Sequence, residues 1–67
     1  MKKLSEVEDL ILGLPATKAS EIIRKEGLRF RIVEKDGNPF IVTRDYVQNR
    51  VNVIVSKNEV VKIKNFG

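Results

Sequence analysis

This chain of 67 residues has no cysteine and no histidine. Without cysteine, neither disulfide bridges nor a thiolate metal site can form. The loss of both residue types removes the usual general base and the nucleophiles that commonly pair with it. The nine carboxylates fall in no recognisable catalytic or metal-binding spacing. The sequence therefore argues against an enzyme, and we expect neither a bound metal nor a cofactor.

Long hydrophobic runs and a targeting segment are also lacking. No apolar run approaches the roughly 20 residues that are needed to cross a membrane. The basic start at Lys2 and Lys3 is followed by acidic residues, where a signal peptide needs its apolar region. We expect no membrane association and no secretion signal, which leaves a cytoplasmic location and a processed, secreted form both open.

Aromatic residues are few. Only four are present although 42% of the chain is hydrophobic, so the core must consist mainly of Ile, Leu, Val and Ala. A charged fraction of 33% suits the surface of a globular domain rather than disorder. The net charge of +4 permits an acidic partner such as nucleic acid, but the basic residues are spread along the chain. Composition indicates one small domain over residues 1–67.

The first part of the chain carries two helical patterns. Residues 1–12 predict an N-terminal turn or short helix, with capping-box spacing between Ser5 and Glu8. The main helix is predicted over residues 15–26, with a proline in its first turn. Gly27 follows as a left-handed stop.

Three strands are predicted after the helix, over residues 28–34, 50–55 and 59–63. In the first strand Phe30 shares a face with Leu and Ile, which indicates a core position. Arg29 and Arg31 then form an ordinary solvated face on the other side. In the second strand three valines lie on one face, and Arg50, Asn52 and Ile54 lie on the other.

Residues 35–49, between the first two strands, read as a turn followed by an extended binding loop. This connection is longer than the two to five residues of a usual hairpin, which suits two parallel strands. The predicted fold class is α+β: one helix packed on a small mixed β-sheet, with a long extended loop between two parallel strands.

The residues best suited to recognition are Thr43, Arg44, Asp45 and Arg50. Arg44 at the tip of an extended loop could enter a deep acidic pocket through bidentate hydrogen bonds. Arg50 could hold the acceptors that flank it. Composition alone favours a simpler interpretation, a solvated loop with an incidental ion pair worth about 0–1 kcal/mol.

Residues 41–46, Ile-Val-Thr-Arg-Asp-Tyr, and residues 49–53, Asn-Arg-Val-Asn-Val, resemble the reactive loop and following strand of the potato inhibitor I family. That family includes the barley chymotrypsin inhibitors and related bacterial peptidase inhibitors. The resemblance extends from about residue 12 to Gly67. It implies a serine protease inhibitor that binds a trypsin-like or subtilisin-like protease as a substrate would, by the standard mechanism.

The resemblance also implies a role for individual residues. Arg44 would be the specificity residue, and Arg44–Asp45 would be the reactive bond. Arg50 would support the loop from the scaffold side, together with Asn52. The whole implied protease-binding loop consists of Val42, Thr43, Arg44, Asp45 and Tyr46.

The sequence departs from the family pattern at two supporting positions. Members often carry a second supporting basic residue where this chain has Asn52, and another where it has Val47. We therefore expect thinner support of the loop.

Two other functions stay open at this point. One is a non-inhibitory protein-binding module on the same scaffold. The other, less favoured, is nucleic-acid binding. We expect no nucleic-acid partner, because the ring of Phe30 is expected in the core and not on the surface, where it could stack on bases. We expect a monomer, although exposed sheet edges could allow a dimer.

Overall fold

The computed structural model describes residues 3–42 and 45–67. Two helices precede four strands, which form one mixed sheet in the order β2-β1-β3-β4. Strands β1 and β3 run parallel, and the other two pairs are antiparallel. The element bounds are α1 (Leu4–Ile11), α2 (Ala16–Lys25), β1 (Arg29–Lys35), β2 (Asn38–Pro39), β3 (Arg50–Ser56) and β4 (Glu59–Phe66). The predicted α+β class is confirmed, with two helices on the sheet and with β2 as an additional short strand.

Helix α1 does not begin with the capping box that the sequence suggests. Lys3 occupies the N-cap position without a side-chain capping hydrogen bond, and Ser5 lies inside the helix. Glu8 instead contacts β4, where its Oε2 accepts a hydrogen bond from the backbone N–H of Ile63 at 3.2 Å. The capping expectation is therefore wrong, because a tertiary contact uses the carboxylate that the local motif would require.

Helix α2 ends at the predicted glycine. Gly27 has a φ of +77°, a conformation that side chains with a Cβ rarely adopt. Its N–H donates to the carbonyl of Arg24, and the N–H of Leu28 donates to the carbonyl of Ile23. This pair of bonds is a Schellman motif, and it satisfies carbonyls at the helix end while it directs the chain into β1.

Both helices pack on one face of the sheet. The buried side chains come from α1, α2, the residue just before β1, and β3 and β4, and they are all aliphatic. Phe30 packs against this cluster from its margin, as its alternation predicted. The cluster comprises Val7, Ile11, Ala19, Ile23, Leu28, Val51, Val53, Val55, Val60 and Ile63. Each buried Val, Leu or Ile side chain contributes about 1.5–3 kcal/mol on burial, so this face supplies most of the apolar stabilisation of the fold.

The opposite face of the sheet carries polar residues of β1 and β3. Alternation places Arg31 there on β1, and Arg50 and Asn52 on β3. We call this surface the outer face. Residues 36–49, including β2, connect the end of β1 to the start of the parallel strand β3, which lies at the opposite end of the pair. Within the described residues, no helix is long and apolar enough to cross a membrane.

Candidate binding loop

The segment between β2 and β3 is tied to the sheet at both ends by backbone hydrogen bonds. At its start, the N–H of Phe40 donates to the carbonyl of Val33 at 2.9 Å. At its end, Arg50 N–H donates to Val47 O at 3.1 Å, and the carbonyl of Asn49 accepts from β1 at 2.7 Å. These bonds fix the two ends of residues 40–49, which we call the loop.

Between these ends the loop presents apolar side chains to solvent. Phe40, Ile41, Val42 and Tyr46 are all exposed, Tyr46 to 75%. Two predicted site residues, Thr43 and Arg44, lie outside the described residues. Of the predicted reactive bond Arg44–Asp45, only Asp45 is therefore described. The part of the chain that the structure describes forms no pocket.

Arg50 contacts the loop at Asp45. Its Nη2 donates to the backbone carbonyl of Asp45 at 2.9 Å. The contacts to the Asp45 carboxylate are longer, at 3.4 Å from Nη1 and 3.5 Å from Nη2. The arginine side chain is 13% exposed and the aspartate side chain 54% exposed.

The short bond to the main chain is the more important of these contacts. The longer ion pair is partly screened, because the carboxylate is more than half in water, and such pairs contribute about 0–1 kcal/mol. A charge-assisted hydrogen bond to a carbonyl from a largely buried arginine contributes about 1.5–3 kcal/mol. Arg50 therefore restrains the backbone of the loop at Asp45 through a bond that does not involve the Asp45 carboxylate.

Arg50 is itself held in place by Gly67, a residue that the sequence analysis did not include in the site. The Nε of Arg50 donates to the carbonyl oxygen of Gly67 at 2.9 Å. The aromatic ring of Tyr46 also lies against this glycine, since a Cβ built on Gly67 would lie 3.6 Å from the ring. Gly67, the residue after β4, thus contacts both the arginine and Tyr46, the loop residue that follows Asp45.

Asn52 occupies the centre of the outer face and is only 4% exposed. Its Nδ2 donates to Asn65 Oδ1 at 2.7 Å and to the carbonyl of Gly67 at 3.2 Å. Its Oδ1 accepts from the Nε of Arg31 at 2.9 Å. Burial of an amide is favourable only when its donors and acceptor are paired, and here they are. Asn52 therefore orders the residues around Arg50.

Arg31 differs from its predicted surroundings. The sequence analysis assigned Arg29 and Arg31 to an ordinary solvated face, but only Arg29 is exposed. Arg31 is half-buried and bonded to Asn52. The register that pairs Arg31 with Asn52 depends on parallel pairing of two strands 21 residues apart, and local alternation cannot supply it.

The site contains binding groups rather than reactive ones. Among the described residues, no cluster of three or more Asp, Glu, His or Cys side chains could hold a metal ion. The polar groups are guanidinium, amide and carbonyl groups that bond one another. Their arrangement positions a segment of main chain.

Comparison with known proteins shows the family of the chain. Residues 10–64 match the model of the potato inhibitor I family, and this match covers most of the chain. Comparisons with curated proteins and with solved structures give no match. Members of that family are inhibitors of serine proteases and not enzymes. The chain therefore belongs to the potato inhibitor I family, and this membership implies inhibition of a serine protease by binding to it.

Proposed function

We propose that this protein inhibits a trypsin-like or subtilisin-like serine protease by the standard mechanism, with the loop bound in the active-site cleft as a substrate would be. Arg44 fills the specificity pocket, and Arg44–Asp45 is the bond presented to the catalytic serine. The protein acts as a monomer, with one loop for each protease molecule. Val42, Thr43 and Tyr46 contact the cleft on either side of that bond.

The hydrogen bond from Arg50 Nη2 to the carbonyl of Asp45 carries this proposal. It acts on the main chain of the residue that follows the proposed reactive bond. Because Arg50 is anchored to β3 and Gly67, the restraint does not depend on contact with a protease. A restrained, exposed segment of this kind is suited to fill a cleft without first having to be ordered.

Restraint before binding lowers the cost of association. Ordering one residue of a flexible segment costs roughly 1–2 kcal/mol in backbone entropy. A loop that is already ordered avoids most of this cost, so more of the contact energy remains as affinity. Complexes of this class bury about 1,600 Å² in total and are among the tightest known for that area.

The same restraint accounts for slow hydrolysis. If the protease cleaves Arg44–Asp45, the new amino group belongs to Asp45, whose carbonyl is held by Arg50. The amine then stays close to the acyl-enzyme, and a nearby amine favours re-formation of the peptide bond over attack by water. Arg44 contributes specificity because a guanidinium binds the carboxylate of an acidic pocket bidentately.

Titration of trypsin and of subtilisin with the purified protein tests this proposal. Residual activity is measured with a small chromogenic substrate, and the mixtures are followed by mass spectrometry. We expect stoichiometric inhibition of at least one of the two enzymes, with any slow cleavage confined to Arg44–Asp45. Rapid cleavage at that bond without inhibition would contradict the proposal, and inhibition with cleavage elsewhere would remove Arg44 from the specificity pocket.

A further inference from the structure

Arg31 lies beside the loop-supporting residues although it belongs to a different strand. In the parallel register of β1 and β3 it pairs with Asn52. Phe30 and Ile32 on either side of it pack towards the core, so alternation places Arg31 on the outer face. Arg29, two residues earlier on the same face, is exposed, whereas Arg31 is half-buried. The two arginines of one strand face therefore have different environments.

The side chain of Arg31 reaches towards β3. Its Nε donates to Asn52 Oδ1 at 2.9 Å. Because the guanidinium group is planar and rigid, a bond at Nε also fixes the orientation of its two terminal nitrogens. The same bond fixes the orientation of the Asn52 amide, whose Nδ2 must then point at its own acceptors.

Those acceptors lead to the loop. Asn52 Nδ2 donates to the carbonyl of Gly67 at 3.2 Å, and the same oxygen accepts from the Nε of Arg50 at 2.9 Å. Arg50 in turn donates to the carbonyl of Asp45. A continuous series of hydrogen bonds thus runs from β1 across β3 to the loop, and the two branches meet at the carbonyl oxygen of Gly67.

The series of hydrogen bonds also brings two positive charges to the outer face. Arg31 bonds Asn52 and Arg50 bonds Gly67, and Asn52 and Gly67 bond each other, so one series contains two guanidinium groups. Like charges near each other are unfavourable unless acceptors compensate them. Carbonyl and carboxylate oxygens of Gly67 and Asp45 are the acceptors that face this charge, so the positive outer face favours the loop in its restrained position.

We propose that Arg31 is a second loop-positioning residue, which acts on Asp45 through Asn52, Gly67 and Arg50. It fixes the Asn52 amide, and Asn52 fixes the carbonyl of Gly67 that holds Arg50 against the loop. The consequence for inhibition rests on the proposed function, but the positioning itself is a property of the free protein. Removal of Arg31 therefore loosens Arg50 without disturbing the core.

Nuclear magnetic resonance of the free protein tests this positioning. The variants are Arg31→Gln, Arg31→Lys and the matched control Arg29→Gln on the same strand face. The readouts are exchange with water of the Arg50 Nε–H and of the Gly67 N–H, which bonds the carbonyl of Arg50. We expect both to exchange about tenfold faster in Arg31→Gln and to change less than about twofold in Arg29→Gln, since tenfold corresponds to about 1.4 kcal/mol.

Arg31→Lys keeps the charge and the aliphatic stem but lacks the Nε donor. We expect its exchange rates to lie between those of the parent and those of Arg31→Gln. If Arg31→Gln does not fold, Arg31→Lys alone decides the question. The role of Arg31 would be overturned if Arg31→Lys exchanged at the same rates as Arg29→Gln, and if Arg31→Gln, where it folds, did so too.

Protease assays on the same variants separate this inference from the proposed function. We expect the target protease to cleave Arg31→Gln at Arg44–Asp45 about tenfold faster than the parent. If the parent inhibits no protease, the proposed function fails while the exchange rates still decide the role of Arg31. If the parent inhibits and Arg31→Gln exchanges and inhibits as the parent does, the role of Arg31 fails and the function stands.

Discussion

Arg50 and Gly67 are joined by two hydrogen bonds of 2.9 Å that run in opposite directions. The Nε of Arg50 donates to the carbonyl of Gly67, and the N–H of Gly67 donates to the carbonyl of Arg50. Main chain and side chain of Arg50 are therefore fixed by the same residue. Because Arg50 is fixed in this way, its terminal nitrogens are held where Nη2 can donate to the carbonyl of Asp45.

Replacement of Arg50 by Ala tests this support directly. The variant loses the side-chain bonds to Gly67 and Asp45 but keeps the backbone bond from the Gly67 N–H, and the buried side chains of the core stay in place. We expect it to fold, to inhibit about 10- to 100-fold more weakly, and to be cleaved at Arg44–Asp45 as a substrate. This range corresponds to about 1.4–2.8 kcal/mol, within the usual contribution of a charged hydrogen bond.

The time course of cleavage, followed by mass spectrometry, and a urea unfolding curve measure the two effects separately. Arg29→Ala, on the exposed part of the same sheet face, is the matched control and should behave as the parent does. Resistance of Arg50→Ala to proteolysis equal to that of the parent would show that the loop is restrained by other groups.

Arg44→Leu tests the specificity residue. Loss of the guanidinium removes charge-assisted bonds to an acidic pocket, which contribute about 1.5–3 kcal/mol. We expect inhibition of trypsin to weaken by at least about tenfold, and a protease with an apolar pocket to be inhibited better than before. The measurement is a pair of inhibition constants for each variant. Arg24→Leu, at an exposed position of α2, is the control, and unchanged inhibition of trypsin by Arg44→Leu would place another residue in the pocket.

The fold was predictable where local signals decide it. Gly27 ends α2 because the left-handed conformation required there is easy for glycine, and a local bond pattern completes the stop. The alternation of β3 separates its valines from Arg50 and Asn52. The two-residue β2 was missed although it pairs with the neighbouring β1, because two residues are too short to show an alternating pattern. The extension of β4 to Phe66 was missed because it depends on the register with β3, where Phe66 pairs with Val51.

The candidate site divides in the same way. Arg50 and Asp45 are five residues apart, so a contact between them was foreseeable from sequence. The contact of Arg31 with Asn52 spans 21 residues and that of Arg50 with Gly67 spans 17. Those two contacts require the register of the sheet, which local patterns do not contain. The assignment of the protease-binding residues themselves stays a prediction that the variants above test.

Asn52→Ala examines the buried amide at the centre of the outer face. It removes the acceptor of the Arg31 Nε–H and the Nδ2 donor to Asn65 and Gly67, and it leaves a space where a buried side chain made three hydrogen bonds. We expect a loss of about 1–3 kcal/mol in the free energy of unfolding, together with faster cleavage of the loop. Urea unfolding measures the first quantity. Asn38→Ala, at an exposed position of β2, should change stability by less than about 0.5 kcal/mol, and an equal loss in both variants would contradict the role of Asn52.

Glu8 offers a test of how α1 is attached to the sheet. Its Oε2 accepts a hydrogen bond from the N–H of Ile63 at 3.2 Å, and Ile63 is 2% exposed. In Glu8→Ala this backbone donor loses its partner, which should lower the free energy of unfolding by about 1–3 kcal/mol. Glu8→Gln keeps an acceptor oxygen and should lose less, and Glu6→Ala, exposed on the same helix, should lose less than about 0.5 kcal/mol.

The three variants of α1 are compared by urea unfolding, with inhibition of the target protease measured in parallel. Because Glu8 lies on the face of the sheet opposite to the loop support, the inhibition constant of folded Glu8→Ala should match that of the parent. Equal stability of Glu8→Ala and Glu6→Ala would show that the contact with Ile63 contributes nothing. A weakened inhibition constant at unchanged stability would instead couple α1 to the loop, and the separation of the two sheet faces would be wrong.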